Sequence, residues 1–257
     1  MQQWKTTGGQ IVYRLLGGRV NVFLIEHNGR FLLIDTAMKR RRKKLIRALT
    51  KQGVTSENLK ALILTHTHFD HAQNAAAVID IFHTHLIVHE SEAAYLATGD
   101  SPLPKGTTWP AKLLMKYMGN FIRWINRYAP AANVISISTA FDLAPLGFDA
   151  KIIHTPGHSK GSVTIILENE IALTGDSMYG QLPGNVFPAF ADDAKLMVQN
   201  WKTVMDTGCS IFLPAHGRAI SRKLLARELL KHLQFVVKMK TALITRRPRS
   251  DQKYLMW

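Results

Sequence analysis

The sequence predicts an α/β protein with two β-sheets packed face to face and helices on the outside. Two patterns predict it. Each half of the 257-residue chain supplies several short apolar, β-branched runs followed by helix-spaced segments. Side chains able to bind metal recur where those runs end, as expected of loops that carry chemistry on a rigid scaffold. At 46% hydrophobic and 20% charged residues, the chain has the apolar material for a substantial core. We expect a single domain over residues 1–240, a helical, lid-like insertion at about 99–133 and a basic tail over 241–257.

The elements follow in order. "QIVYRLL" reads as a strand, and "VNVFLIEHNGRFLLID" as a hairpin turning at Asn28-Gly29. Residues 39–51, "KRRRKKLIRALTK", have helical composition with Leu45, Ile46 and Leu49 facing inward. The strand "ALILT" leads to a helix over "AQNAAAVID", and "HTHLIVHE" is a strand ending at Ser91, a candidate cap for "EAAYLA". Pro102, Pro104, Gly106 and Pro110 then interrupt the pattern before "AKLLMKYMGNFIRWINRY" resumes at helical spacing, with a weak point at Gly119-Asn120. The strands "NVISIS", "DAKIIHT", "SVTIILEN" and "EIALTG" come next. A helix over 190–206, the strand "CSIFLP" and a helix over 221–240 complete the order.

The stretch "LTHTHFDHAQ" carries His66, His68, Asp70 and His71 within six positions. In an extended segment His66, His68 and Asp70 fall on one side. Three such groups would repel or desolvate one another unless a cation sat between them. Imidazole nitrogen and carboxylate oxygen are both ordinary zinc donors, so metal binding explains the spacing. Further donors follow other strands: His158 on the Pro-Gly turn of "HTPGHSKGS", Asp176 in "ALTGDSMY" and His216 in "IFLPAHG". Seven donors are enough for two ions with an open position for water. His83, His85 and His89 lack an acidic partner at ligand spacing, His27, His154 and His232 are isolated, and none of the six is expected to bind metal.

These motifs resemble those of the metallo-β-lactamase fold superfamily, whose His-x-His-x-Asp-His pattern matches His66, His68, Asp70 and His71 and whose later His, Asp and His match His158, Asp176 and His216. The resemblance covers about residues 10–240 and implies an α/β fold, a four-layer αβ/βα sandwich of two mixed β-sheets with outer helices. It implies that His66, His68 and His158 hold one zinc and Asp70, His71 and His216 a second, with Asp176 bridging; manganese or iron are alternatives. Gln73 and "IDTA" depart from the frequent family pattern without removing a ligand. Asp35 matches a further acid near the family's site, where it would orient a ligand; ending a strand is the other reading. Tyr179 is placed like a tyrosine of the acyl-homoserine-lactone lactonase branch, which makes it a candidate hydrogen-bond donor to an oxyanion or leaving group, or a packed aromatic.

The activity expected is metal-dependent hydrolysis of a small ester, thioester or lactone by a hydroxide bridging two zinc ions, with Asp70 holding that nucleophile in line. The net charge of +15, from 33 Lys and Arg against 18 Asp and Glu, keeps an anionic substrate or nucleic acid in view. A phosphodiesterase or nuclease, and an iron-dependent persulfide dioxygenase, are the alternatives. "MQQWKTTGGQ" lacks the form of a secretion signal, no apolar run reaches membrane-spanning length, and Cys209 is the one cysteine, in the apolar run "CSIFL". A cytoplasmic location and a packed, non-nucleophilic Cys209 are therefore expected. On the 111–128 helix, Lys112, Lys116, Arg123 and Arg127 share one face, and the apolar residues, including Phe121 and Trp124, the other. That helix is a surface element, a lid whose aromatic face roofs the site, or a membrane-docking element.

Overall fold

The structure, a computed structural model, is described for residues 1–232. The expected tail over 241–257 and the end of the closing helix lie outside the described residues. Thirteen strands form two sheets, of seven and six strands. In the first, β1 (Gln3–Lys5), β2 (Ile11–Leu16), β3 (Val22–His27) and β4 (Arg30–Ile34) run antiparallel. β5 (Leu59–Ile63), β6 (Leu86–His89) and β7 (Val134–Ile137) then join in parallel. The second sheet runs from β8 (Phe141–Asp142) through β9 (Ala150–His154), β10 (Val163–Leu167), β11 (Ile171–Gly180) and β12 (Ile211–Gly217) to β13 (Ile220–Ser221), and its β11–β12 pair is parallel.

Strand periodicity explains the layering. Ile25, Leu32, Ile34 and Ile63 point into the space between the sheets, where they meet Ile152, Ile165, Leu167 and Leu213. Their neighbours Leu24, Leu33 and Leu62 point the other way, onto Leu45 and Leu49 of α1 (Arg42–Lys51), Val78 and Phe82 of α3 (Ala75–Phe82) and Leu96 of α4 (Glu90–Thr98). On the far side, Ile166 and Phe212 pack against Met197, Trp201 and Val204 of α6 (Ala194–Asp206) and against Leu225 and Leu229 of the closing helix, described over 222–232. Strands buried on both faces read as unbroken apolar runs, which is why they were visible in the sequence. The result is the αβ/βα sandwich.

Several local expectations change. The "AQNAAAVID" helix is split into α2 (Phe69–Ala72) and α3, because Gln73 and Asn74 turn aside to bond the 36–39 backbone. His89, not Ser91, caps α4: its ring accepts from the Ser91 amide. The helix expected from 190 starts at Ala194, where Asp193 caps it by accepting from the Leu196 amide at 2.9 Å. β1 and β8 are too short to have left a pattern. α5 (Trp109–Ile125) runs unbroken through Gly119-Asn120, with Pro110 in its first turn, where a missing amide hydrogen costs nothing. Cys209 is fully buried, and burial pushes its thiol up, which suits a packed residue.

Candidate metal centre

Strand ends from both sheets deliver the seven donors to one place. β5 ends at Ile63 and releases His66 and His68, and the short α2 turns Asp70 and His71 toward the same point. His158 follows β9 on its Pro-Gly turn. Asp176 and His216 lie inside β11 and β12, not beyond them as the sequence suggested. Asp176 is nonetheless turned into the site, because the β11–β12 register shifts on either side of Gly175. Gly175 has a φ of +52°, and a Cβ there would lie 2.7 Å from the Thr65 side chain, so this kink needs glycine. The Val163 amide donates to Thr65 O at 2.9 Å, tying the two sheets together beside the site.

Three groups have mutually adjacent donor atoms: His66, His68 and His158; His66, His71 and Asp176; and Asp70, His71 and His216. Within each group the atoms lie within 4.8 Å of one another, and together they bring in all seven sequence-derived residues. His158 Nε2 is 3.0 Å from His68 Nδ1, and His216 Nε2 is 3.2 Å from Asp176 Oδ2. The six other histidines belong to none of these groups; His89, for instance, stacks on His154 at 3.8 Å.

The outer nitrogens are held from behind. His71 Nδ1 meets Asp35 Oδ2 at 2.8 Å, His158 Nδ1 donates to Phe190 O at 3.0 Å, and His216 Nδ1 donates to Arg19 O at 2.5 Å. Such contacts fix ring orientation and leave Nε2 aimed inward. Asp35 therefore does more than end β4. It also accepts from the Thr65 amide at 2.9 Å and from its hydroxyl, and it adopts a left-handed φ of 61° to do so.

Sequence reasoning missed Glu92 altogether. This buried carboxylate accepts from the Thr67 amide at 3.1 Å and its hydroxyl, from Ser159 Oγ at 2.6 Å and from the Gly161 amide at 3.1 Å. It ties the His66–His71 loop to the His158 loop, and a Cβ on Gly161 would strike it. In "HESEAAYLA" nothing distinguishes Glu92 from the exposed Glu90, so only the fold reveals it.

The electrostatics suit a cation. Burial lowers His66 well below its usual range, His68 to about 3 and His158 to about 4, so all three rings are neutral donors. Burial opposes charge on His71 too, but Asp35, Asp176 and Asp70 outweigh it and raise the ring well above its ordinary value. Burial would raise Asp176, yet His216, His71 and His158 hold it well below the usual carboxylate range. His66 Nε2, His71 Nε2 and Asp176 Oδ1 are buried without a hydrogen-bond partner. The His71 and Asp176 atoms face each other at 3.3 Å and His66 Nε2 has no such neighbour, yet all three converge on this spot, so the donor set fits bound metal.

The donors open into a cleft of about 290 Å³. Leu103, Pro104, Leu114, Met115, Ile122 and Phe190 supply its apolar wall, and Arg19 and Tyr179 also face it. Tyr179 donates its hydroxyl to Asp176 Oδ2 at 3.0 Å; burial, with Asp176 and Asp70 beside it, pushes the phenol far up, so it keeps its proton. Of the segment expected as a lid, it is the Leu114, Met115 and Ile122 side of α5 that lines the cleft. Phe121 and Trp124 point into solvent.

The metallo-beta-lactamase superfamily model matches residues 15–216, a stretch that contains all seven donors. The chain belongs to the metallo-beta-lactamase superfamily. Among its curated relatives, a probable metallo-hydrolase of Streptococcus pyogenes is 33% identical over 129 residues, 49% of this chain and 50% of that one. The atrochrysone carboxyl ACP thioesterase of Aspergillus fumigatus is 24% identical over 219 residues, 81% of this chain and 56% of that one. The chain thus spans about half the length of these superfamily relatives. A metallo-beta-lactamase family protein from Thermus thermophilus superposes with a TM-score of 0.64 at 22% identity, covering 90% of this chain and 82% of that one, which shows the shared fold.

Proposed function

We propose that this protein is a cytoplasmic, dinuclear zinc hydrolase acting on a small ester, thioester or lactone. The observation that carries the reading is the convergence of seven donors, three of them orphaned, at the floor of an apolar-walled cleft. His66, His68 and His158 would hold one ion, Asp70, His71 and His216 the other, and Asp176 would bridge them. When bound, the pair supplies Lewis acidity, enough to make water nucleophilic near neutral pH and to polarise a carbonyl.

The chain's own groups do the rest. Asp70 orients the attacking water toward the carbonyl carbon. Tyr179, which keeps its proton, would turn its hydroxyl from Asp176 Oδ2 to donate to the oxygen that gains charge or to the leaving group. Leu103, Leu114 and Ile122 receive an apolar acyl group and exclude water from it, while Arg19 offers a cation to an anionic substituent. The fungal thioesterase among the relatives supports an acyl substrate.

A panel of chromogenic lactone, thioester, β-lactam and bis-phosphate substrates tests the proposal, run before and after chelation. We expect turnover of a lactone or thioester that chelation abolishes. Turnover of the bis-phosphate alone would replace the proposal with a phosphodiesterase.

A further inference from the structure

α5 is amphipathic in a way the fold does not use. Ala111, Met115, Gly119 and Ile122 form a narrow stripe that seats it on the protein. Trp109, Leu113, Leu114, Tyr117, Met118, Phe121, Trp124 and Ile125 are instead 41–74% exposed, and they make up most of the large apolar side chains that the described residues leave in solvent. At about 100° per residue these eight occupy one half of the helix circumference. Burial among the described residues does not explain such a face, and contiguous exposed apolar surface of this kind marks an interaction site.

The surrounding charge identifies the partner. Residues 101–141 carry five Lys and Arg and no Asp or Glu; Arg123 and Arg127 pair with Asp100 at 2.6 and 3.0 Å, which leaves Lys105, Lys112 and Lys116 without a carboxylate partner among the described residues. Lys112 and Lys116 flank the apolar arc, and beside the end of α5 a groove walled by Lys39, Arg40 and Arg127 runs past Ile125. Lys39, Arg40, Lys43 and Lys44 are exposed, and none pairs with a carboxylate among the described residues. They cluster at the start of α1, where the helix dipole disfavours cations and where the first turn holds no acid. A second copy of this chain is a poor occupant, because a symmetric contact would press these cations against their own copies. Exposed aromatic and aliphatic side chains edged by Lys and Arg are what an anionic lipid surface binds.

We propose that α5 docks this protein on an anionic bilayer, with Tyr117, Phe121 and Trp124 in the headgroup–acyl boundary and the 39–44 cations on lipid phosphates. Docking sets Leu114 and Ile122, and with them the mouth of the cleft, at the membrane interface. Docking needs no catalytic activity and is independent of whether the cleft hydrolyses an acyl substrate.

Vesicle flotation of the full-length, metal-replete protein tests it, with phosphatidylcholine–phosphatidylglycerol vesicles against phosphatidylcholine alone. We expect flotation with the anionic vesicles only, weakened by salt. Tyr117→Ser with Trp124→Ser should abolish it, and Lys112→Glu with Lys116→Glu should weaken it by about tenfold or more. All four side chains are exposed, so melting temperatures should stay at the parent value, and the charge-reversed protein gives a second reading if the aromatic one does not. Parent protein that stays unbound, or variants that float like the parent, would overturn the proposal. So would a stable dimer that the same aromatic substitutions dissociate.

Discussion

At the residue scale, the site depends on groups that touch no substrate. Glu92 accepts four hydrogen bonds from two loops, and Glu92→Gln would set an amide NH2 against donors that already point at it. We expect metal affinity to fall by about 10–100-fold, with a lower melting temperature, because the loops carrying His66, His68 and His158 lose their common tie. Parent-like metal affinity in this variant would reduce Glu92 to ordinary packing. The buried histidines also make metal-free protein sensitive to pH. His68 at about 3 and His158 at about 4 refuse protons that an unfolded chain takes up near 6.5, so stability is lost as pH falls below that point. His71 and His216 are raised, so the folded state holds their protons longer, and the stability they give is lost as pH rises above it. The melting temperature of chelator-stripped protein should therefore peak near pH ~6.5, and a flat profile would contradict this balance. Of the seven residues that converge here, His66, His68, Asp70 and His71 were legible because they are dense in the sequence, and His158, Asp176 and His216 because each stands beside a turn or glycine where an apolar run ends. Glu92 was not, since its partners stand 25 to 69 positions away.

At the element scale, strands buried on both faces announced themselves, while elements defined by one side-chain contact did not. Asp176 was placed beyond its strand because "EIALTG" ends in glycine. In the fold that glycine bends β11, and the strand continues to Gly180. The faces of α5 were readable from its periodicity, but not which edge would rest on the cleft. Leu114→Ala and Ile122→Ala should raise KM or shift acyl preference, with metal content unchanged. Trp124→Ala should leave the kinetics of a water-soluble substrate at the parent level. Steady-state kinetics on a series of acyl lengths checks both, and the reverse pattern would restore the aromatic face as the roof.

At the scale of the whole molecule, two sheets contribute to one centre, and neither holds it alone. His66, His68, Asp70 and His71 follow strands of the first sheet, while His158, Asp176 and His216 belong to the second. Inter-sheet contacts such as Val163 to Thr65 and Asn21 to Ala215, at 2.9 and 2.6 Å, hold the halves in register. Metal should therefore act as a clamp between sheets, raising the melting temperature in proportion to its affinity. Among the described residues, no helix is long and apolar enough to cross a membrane. The most direct test of the central claim is elemental analysis of protein purified without chelator, run beside Asp176→Asn. About two divalent ions per chain are expected in the parent, and about one in the variant, which lacks the charge proposed to bridge them. Protein that binds no metal and gains no activity from zinc, manganese or iron would contradict it, as would a single iron per chain.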